Sequence, residues 1–356
     1  VLHGGAIEDD DIVADDDVAA DRAGVHAGVA ADAHAVADDA GSLYWNTAGL
    51  TRVASKSATF MHASYLESSS FEYGAYAQNL GDRGVLGLGI QYFSAGSLAG
   101  ADASGVDTGS FTPSNLAVTL GYARKVAGTG PLRGFSLGLG LKFIQSKIQK
   151  TASTEALDLG LLSPAYLNGK LTLGLAVTNL GGTLKFDSAQ GKLPMMVKFG
   201  SSYRISDRWL AALDLLFPRD NKMLFGVGTE YIQPMNGGVS LAGRLGYNSR
   251  TAGDISGMSG LAYGLGFGFN AYSLDYALAP YGDLGTAQRL SLSYRFGGLA
   301  PAAPSRVEMP APATLEEFIA RAKEFIEQKR WDEAKKDLLS AQAALSAEDV
   351  RRVLVA

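Results

Sequence analysis

Apolar residues alternate with small or polar residues over most of the chain. Between about residues 57 and 297, segments of roughly ten residues show this alternation and are separated by turn-forming residues. In 135–143, Phe and Leu at odd positions alternate with Ser, Gly and Lys at even positions. A period of two places successive side chains on opposite faces of a β-strand. The pattern therefore predicts a long series of strands, each with one apolar face.

The segments divide into about fourteen predicted strands, over residues 57–68, 71–80, 84–93, 114–126, 135–147, 156–166, 170–179, 194–205, 208–217, 222–232, 238–248, 260–270, 271–281 and 286–296. The long connections 94–113, 180–193 and 249–259 all follow odd-numbered strands. Outer-membrane barrels have short periplasmic turns and longer outer loops. The sequence thus predicts a bacterial outer-membrane location, and the even strand number places the N- and C-termini in the periplasm.

The residues opposite the apolar face distinguish a membrane barrel from a soluble sandwich. A sandwich exposes Lys, Glu, Thr and Ser, whereas this face is mostly Gly, Ala and Ser. The apolar face is rich in Leu, Tyr and Phe, as a lipid-facing band with aromatic girdles requires. We predict an all-β antiparallel barrel over 57–297, surrounded by outer-membrane lipid, with a crowded or plugged lumen. A structural network, rather than an anion site, is expected for the charged residues that we place in the lumen: Lys142, Lys198, Arg204, Glu230, Arg244, Asp275, Arg289 and Arg295.

Composition argues against several classes of function. The 356 residues include 44 Gly and no Cys, and the net charge of −5 is too small to indicate a nucleic-acid partner. The four His residues, at positions 3, 26, 34 and 62, lack metal-ligand spacing, and no Ser, His and Asp set is arranged for nucleophilic catalysis. We predict that the protein is not an enzyme and has no cofactor. Residues 1–34 are acidic, cannot serve as an export signal, and are predicted to be disordered.

Residues 35–50, before the first predicted strand, read AVADDAGSLYWNTAGL. This segment resembles the signature of the PorV/PorQ family of outer-membrane proteins, within the wider FadL-like group of fourteen-stranded barrels. The resemblance implies that 35–56 folds into the lumen as a plug or hatch, although Thr47 stands where the family usually has Pro. The alternative is that the aromatic pair of this segment anchors it at the bilayer interface. The residues that carry the motif are Asp38, Asp39, Tyr44, Trp45, Asn46, Gly49 and Leu50.

The composition changes after Phe296. Residues 298–313 are rich in Pro and Ala and predict an extended linker. Residues 314–356 predict helices that resemble a single tetratricopeptide-like repeat in the periplasm. One repeat cannot bury both of its faces, so it either docks on a periplasmic or outer-membrane protein or packs on itself as a spacer. The docking candidates are Phe318, Phe325 and Trp331.

Two functions follow from these resemblances. The likeness to PorV/PorQ implies a binding, shuttle or scaffold component, as in protein secretion by the type IX system. The likeness to the FadL-like group implies a transporter of hydrophobic or small molecules. Inward Gly, Ser, Lys and Arg offer little of the apolar pocket that a greasy ligand needs. The sequence therefore favours the first function.

Overall fold

The computed structural model describes residues 35, 37–65, 68–101, 106–128, 130–186, 189–249, 259–296, 323, 324, 326, 327, 330–333 and 335. The chain divides into two units, Val1–Pro304 and Ser305–Ala356. The predicted disordered segment 1–34 and the predicted linker 298–313 lie outside the described residues. No helix within those residues is long and apolar enough to cross a membrane.

Strands account for most of the described part of the first unit. A short helix, α1 (Ser42–Trp45), and a 3-10 helix (Thr47–Arg52) precede them. The strands are β1 (Lys56–Ser64), β2 (Ser70–Asn79), β3 (Val85–Ser94), β4 (Leu98–Ala101), β5 (Asp107–Phe111), β6 (Ser114–Lys125), β7 (Ser136–Lys147), β8 (Thr151–Leu162), β9 (Leu171–Leu180), β10 (Thr183–Phe186), β11 (Ala189–Lys192), β12 (Met196–Arg204), β13 (Trp209–Pro218), β14 (Leu224–Pro234), β15 (Val239–Asn248), β16 (Leu261–Phe269), β17 (Tyr272–Pro280) and β18 (Thr286–Phe296).

Fourteen of these strands form one closed barrel, which confirms the predicted fold class. Their order is β1-β2-β3-β6-β7-β8-β9-β12-β13-β14-β15-β16-β17-β18, and β18 pairs antiparallel with β1 to close the ring. Lys56 pairs with Phe296, so the first strand begins and the last strand ends at the same end of the barrel, here called the terminus end. The opposite end is called the loop end. The assignment of the terminus end to the periplasm stays a prediction.

Two connections predicted as loops contain hairpins. The β4–β5 hairpin lies within 94–113 and the β10–β11 hairpin within 180–193. The strand predicted at 156–166 is β8, which begins five residues earlier, at Thr151, and ends at Leu162. Its first half is the polar sequence TASTE, which has no apolar alternation, and Pro164, which lacks a backbone N–H, follows its end.

The large apolar side chains of the barrel point outward. In β3, Leu86, Leu88 and Ile90 are 43%, 49% and 48% exposed, whereas Val85 and Gly87 are buried. Exposed apolar bands of this kind are solvated by lipid rather than by water. Near the terminus end the band is edged by exposed aromatic side chains, which form a girdle as in outer-membrane barrels; these are Tyr76, Tyr122, Tyr203, Trp209, Tyr231, Tyr272 and Phe296.

The second unit is described only between residues 323 and 335. Its described residues are helical except Arg330, whose guanidinium pairs with Glu333 at 3.2 Å. Trp331 is 63% exposed. The tetratricopeptide-like hairpin over 314–356 stays a prediction.

Candidate functional site in the barrel lumen

Residues Ala37–Val53, here called the lumenal segment, lie inside the barrel. The Asn46 side-chain amide donates to the carbonyl oxygens of Leu161 in β8 (3.1 Å) and Leu175 in β9 (3.4 Å). On another side of the ring, the Tyr73 hydroxyl of β2 donates to the Ala40 carbonyl at 3.4 Å. Tyr44 and Trp45 are only 8% and 1% exposed. Both rings therefore pack in the interior, not at a bilayer interface.

An acidic pair fixes the start of this segment to the β1–β18 seam. Asp39 is fully buried, and its Oδ2 accepts from the hydroxyls of Thr59 (3.1 Å) and Ser293 (3.3 Å). Its Oδ1 accepts from the backbone N–H of Gly41 at 2.8 Å. Asp38 forms an ion pair with Arg295 at 3.0 Å. Because hydrogen bonds to a charged group are stronger than neutral ones, this cluster is one of the polar attachments that hold the segment.

Glycines on the inward faces of four strands make room for the segment. A Cβ on Gly87 would lie 2.9 Å from Leu43 Cδ1, and a Cβ on Gly121 would overlap the same side chain. A Cβ on Gly138 would overlap the Ala48 backbone, and one on Gly160 would overlap the Asn46 side chain. The small inward residues, from which a crowded lumen was predicted, thus leave the space that the lumenal segment fills.

The predicted lumenal charges lie on inward strand positions and are mostly paired. Arg244 is buried and bonds Glu230 through Nε and Asp275 through Nη1, each at 2.6 Å. Lys142 pairs with the buried Asp158 at 2.9 Å. Of the remaining candidates, Arg295 pairs with Asp38 of the lumenal segment, Lys198 and Arg289 are buried, and Arg204 is half-buried.

Arg52 belongs to the same network but was not among the predicted residues. Its Nη1 donates to the Ala35 carbonyl at 2.9 Å. Burial lowers the pKa of the Arg52 guanidinium, Asp38 opposes this shift, and Arg204 adds to it. The Arg52 side chain therefore links the end of the lumenal segment to the backbone just before its start.

A recess lies between the lumenal segment and the loop end. It opens to solvent, and its cavity volume is about 50 Å³. Two lysines, Lys142 and Lys198, and the polar residues Asn115 and Asn179 share this recess with apolar side chains. The apolar part of the lining was not expected from the sequence; it includes Tyr44, Phe71, Phe93, Ile144 and Leu193.

A β-bulge shapes the wall of the recess. The β8–β9 register shifts between Leu157 and Leu159, and Asn179 adopts φ +56°, in the left-handed region that Asn tolerates better than most residues. The Asn179 backbone N–H donates to Asp158 Oδ1 at 2.8 Å, and its side chain accepts from Lys142 at 2.8 Å. Asp158 and Asn179 were not among the predicted site residues. Asn within the TNLGG end of a predicted strand was the available signal.

Over the described ranges, no group of three or more His, Cys, Asp or Glu side chains could hold a metal ion. His62 faces outward, away from the lumen, and contacts Glu72 and Ser64.

The closed fourteen-strand barrel is similar in fold to transporters of known structure. The chain is similar in structure to the Pseudomonas putida toluene transporter TodX, with 12% identity, TM-score 0.54 and coverage of 76% of this chain and 97% of that one. It is also similar to the Ralstonia pickettii toluene transporter TbuX, with 14% identity, TM-score 0.53 and coverage of 77% of this chain and 98% of that one. A Pseudomonas aeruginosa FadL homologue has 12% identity and TM-score 0.49, with coverage of 77% of this chain and 98% of that one. No protein-family model matches the sequence, and no curated protein matches it.

Proposed function

We propose that this protein is an outer-membrane channel for small hydrophobic or amphipathic molecules, which bind in the recess. The observation that carries the proposal is the combination of a largely apolar lining with Lys142 and Lys198. Small-molecule sites are concave, mostly apolar and about 300–1,000 Å³ in volume, with a few polar groups that orient the ligand. The recess has such a mixed lining, although its cavity of about 50 Å³ is smaller and has to widen to admit a ligand. TodX and TbuX, which share the fold, are toluene transporters.

A binding comparison tests the recess directly. The probes are toluene, which is neutral, and benzoate, which adds a carboxylate to the same ring. Since a carboxylate near a buried lysine gains a charge-assisted hydrogen bond, Lys198→Gln should weaken benzoate binding about tenfold and leave toluene binding unchanged. Lys56→Gln, outside the recess, is the matched control. If neither probe binds the detergent-purified protein, the recess is not a ligand site.

The lumenal segment acts in this proposal as the gate between the recess and the terminus end. Tyr44 lines the recess, while Asp38 bonds to Arg295 near the other end of the barrel. A solute that passes along the barrel axis must therefore displace the segment. A disulfide between the segment and the wall should block that displacement.

Because the sequence contains no Cys, a single engineered disulfide can test this block without competing thiols. The hydroxyl oxygens of Thr51 and Ser136 lie 2.8 Å apart, so Thr51→Cys with Ser136→Cys should form a disulfide from the segment to β7. In liposomes, oxidation of the double variant should lower solute flux, and reduction should restore it. The two single variants should not respond to oxidation. Equal flux in the oxidised and reduced double variant would refute the gating role.

A second candidate function rests on the exposed Trp331. We propose, as the alternative, that 314–356 docks on a periplasmic protein, so that the barrel serves as a shuttle or scaffold like that of PorV/PorQ in type IX secretion. A large aromatic exposed on helical residues is typical of an interface anchor. Phe318 and Phe325 lie outside the described residues. A protein that co-purifies with the full chain should be lost both on removal of 314–356 and in Trp331→Ala; retention in both variants would contradict docking.

A further inference from the structure

The outward face of β1 and β2 interrupts the lipid-facing apolar band. Only Phe60 and Tyr76 are large and apolar on this face, although the neighbouring strand β3 presents three aliphatic side chains and a tyrosine. This region is here called the polar stripe, and its outward residues are Lys56, Ala58, Phe60, His62, Ser64, Ser70, Glu72, Gly74, Tyr76 and Gln78.

An ionisable pair lies within the stripe. His62 Nδ1 and Glu72 Oε1 are 2.6 Å apart, and the two side chains are 54% and 48% exposed. His62 Nε2 also contacts the Ser64 hydroxyl at 3.0 Å. In the strand register His62 is opposite Leu290 and Glu72 is opposite Tyr92, both of which belong to the apolar band. The pair is thus at the level of lipid.

Ionisable side chains on the lipid-facing surface of a barrel are destabilising, and they are rare unless something other than lipid covers them. The stripe also has little apolar area with which to contact lipid. Its small residues, Ala58 and Gly74, allow another backbone to approach closely. Both features are expected of a surface covered by protein.

We propose that the polar stripe is the contact between two copies of this chain, related by a two-fold axis parallel to the barrel axis. In such an interface a patch contacts itself, so it must carry complementary groups at one level. His62 and Glu72 satisfy this condition because they are directly paired in the β1–β2 register. The rotation brings His62 of one copy toward Glu72 of the second. Phe60, 63% exposed on its own chain, is buried in the dimer.

Disulfide cross-linking tests the dimer, because the natural chain contains no Cys. The variants are Ala58→Cys and Gly74→Cys in the stripe; a Cβ at Gly74 would meet only the Phe60 ring, at an ordinary 3.6 Å. The matched control is Leu213→Cys, which is equally outward but lies on β13, across the barrel. Full-length protein is reconstituted in phosphatidylethanolamine–phosphatidylglycerol vesicles and oxidised with copper phenanthroline. Folding of each variant is checked by heat-modifiable gel migration.

The two stripe variants should give a covalent species of twice the 37.3 kDa chain mass, and the control should not. Replacement of both ionisable residues, His62→Leu with Glu72→Leu, should lower that cross-linked fraction at least about tenfold, because it removes the two symmetry-related charge pairs of the interface. Three results overturn the proposal: no dimer from either stripe variant, equal dimer from Leu213→Cys, or no effect of the double leucine replacement. In native outer membranes, a cross-linked species of another mass without the dimer also overturns it, because the stripe would then cover a different protein.

Discussion

Replacing Asn46 by Ala should release the lumenal segment without unfolding the barrel. The Asn46 side chain is buried, accepts from the Ala48 N–H at 3.1 Å as the cap of the 3-10 helix, and donates to two wall carbonyls. Loss of a helix cap costs about 0.5–2 kcal/mol. Leaving buried hydrogen-bonding groups without partners costs about 1–3 kcal/mol more. A total of about 1.5–5 kcal/mol raises the unseated fraction of the segment about 10- to 4,000-fold.

Thiol labelling measures that fraction. Ser42→Cys is a suitable reporter because Ser42 is fully buried and its hydroxyl has no hydrogen-bond partner in the described structure. When opening and closing are fast, the labelling rate follows the open population. Asn46→Ala in the reporter background should therefore speed maleimide labelling about 10- to 4,000-fold. Asn46→Asp keeps an acceptor for Ala48 but loses both donors, so it should not restore slow labelling.

Two results would show that this reasoning is wrong. The first is an unchanged labelling rate in Asn46→Ala. The second is an equal loss of heat resistance of the barrel itself, because labelling would then report global unfolding. The prediction requires the segment to open while the strand ladder stays closed, as regions of low local stability do in other proteins.

Three further substitutions probe the interior. Gly121→Val should displace Leu43 and speed the same labelling, whereas Gly243→Val, where a Cβ would meet nothing within 4 Å, should not. Asp39→Asn keeps the size but removes the charge from a buried cluster, so the labelling rate should rise about tenfold. An unchanged labelling rate would show that the cluster does not anchor the segment. Arg244→Met removes this partner from the half-buried Glu230 and the buried Asp275 and should destabilise the barrel by about 3 kcal/mol. The destabilisation is measured as a lower urea midpoint of unfolding, and an unchanged midpoint would contradict this.

The barrel could be predicted from sequence because the bilayer imposes a strict pattern within its thickness. All fourteen barrel strands were predicted, and most boundaries differ by one or two residues. Prediction failed where strands leave the bilayer, because no lipid imposes an apolar face there. The first half of β8 and the β4–β5 hairpin are examples, with mostly polar or small residues.

The recess could not be predicted, since its lining residues come from strands far apart in sequence. Phe71, Phe93 and Ile144 lie close to the loop ends of their strands, where the alternation is weakest. Their inward direction becomes evident only from the strand register. By contrast, the charged lumen residues could be found because a charge on an otherwise small-residue face stands out from the pattern. Their partners could not be predicted, because a pair such as Lys142 with Asp158 depends on the β8–β9 bulge, which the alternation pattern does not indicate.

The recess and the gate share Tyr44, and this couples ligand binding to the position of the segment. A ligand that contacts Tyr44 binds the seated state better than the unseated one, so it shifts the equilibrium toward seating. At a hundred times its dissociation constant such a ligand stabilises the seated state by about 2.7 kcal/mol, comparable to the predicted effect of Asn46→Ala. Saturating benzoate should therefore slow labelling in that variant. A channel needs this coupling to be weak, because a tightly held ligand would keep its own gate closed. Strong protection at micromolar benzoate would favour a binding or shuttle protein, whereas protection only at millimolar benzoate fits passage through the barrel.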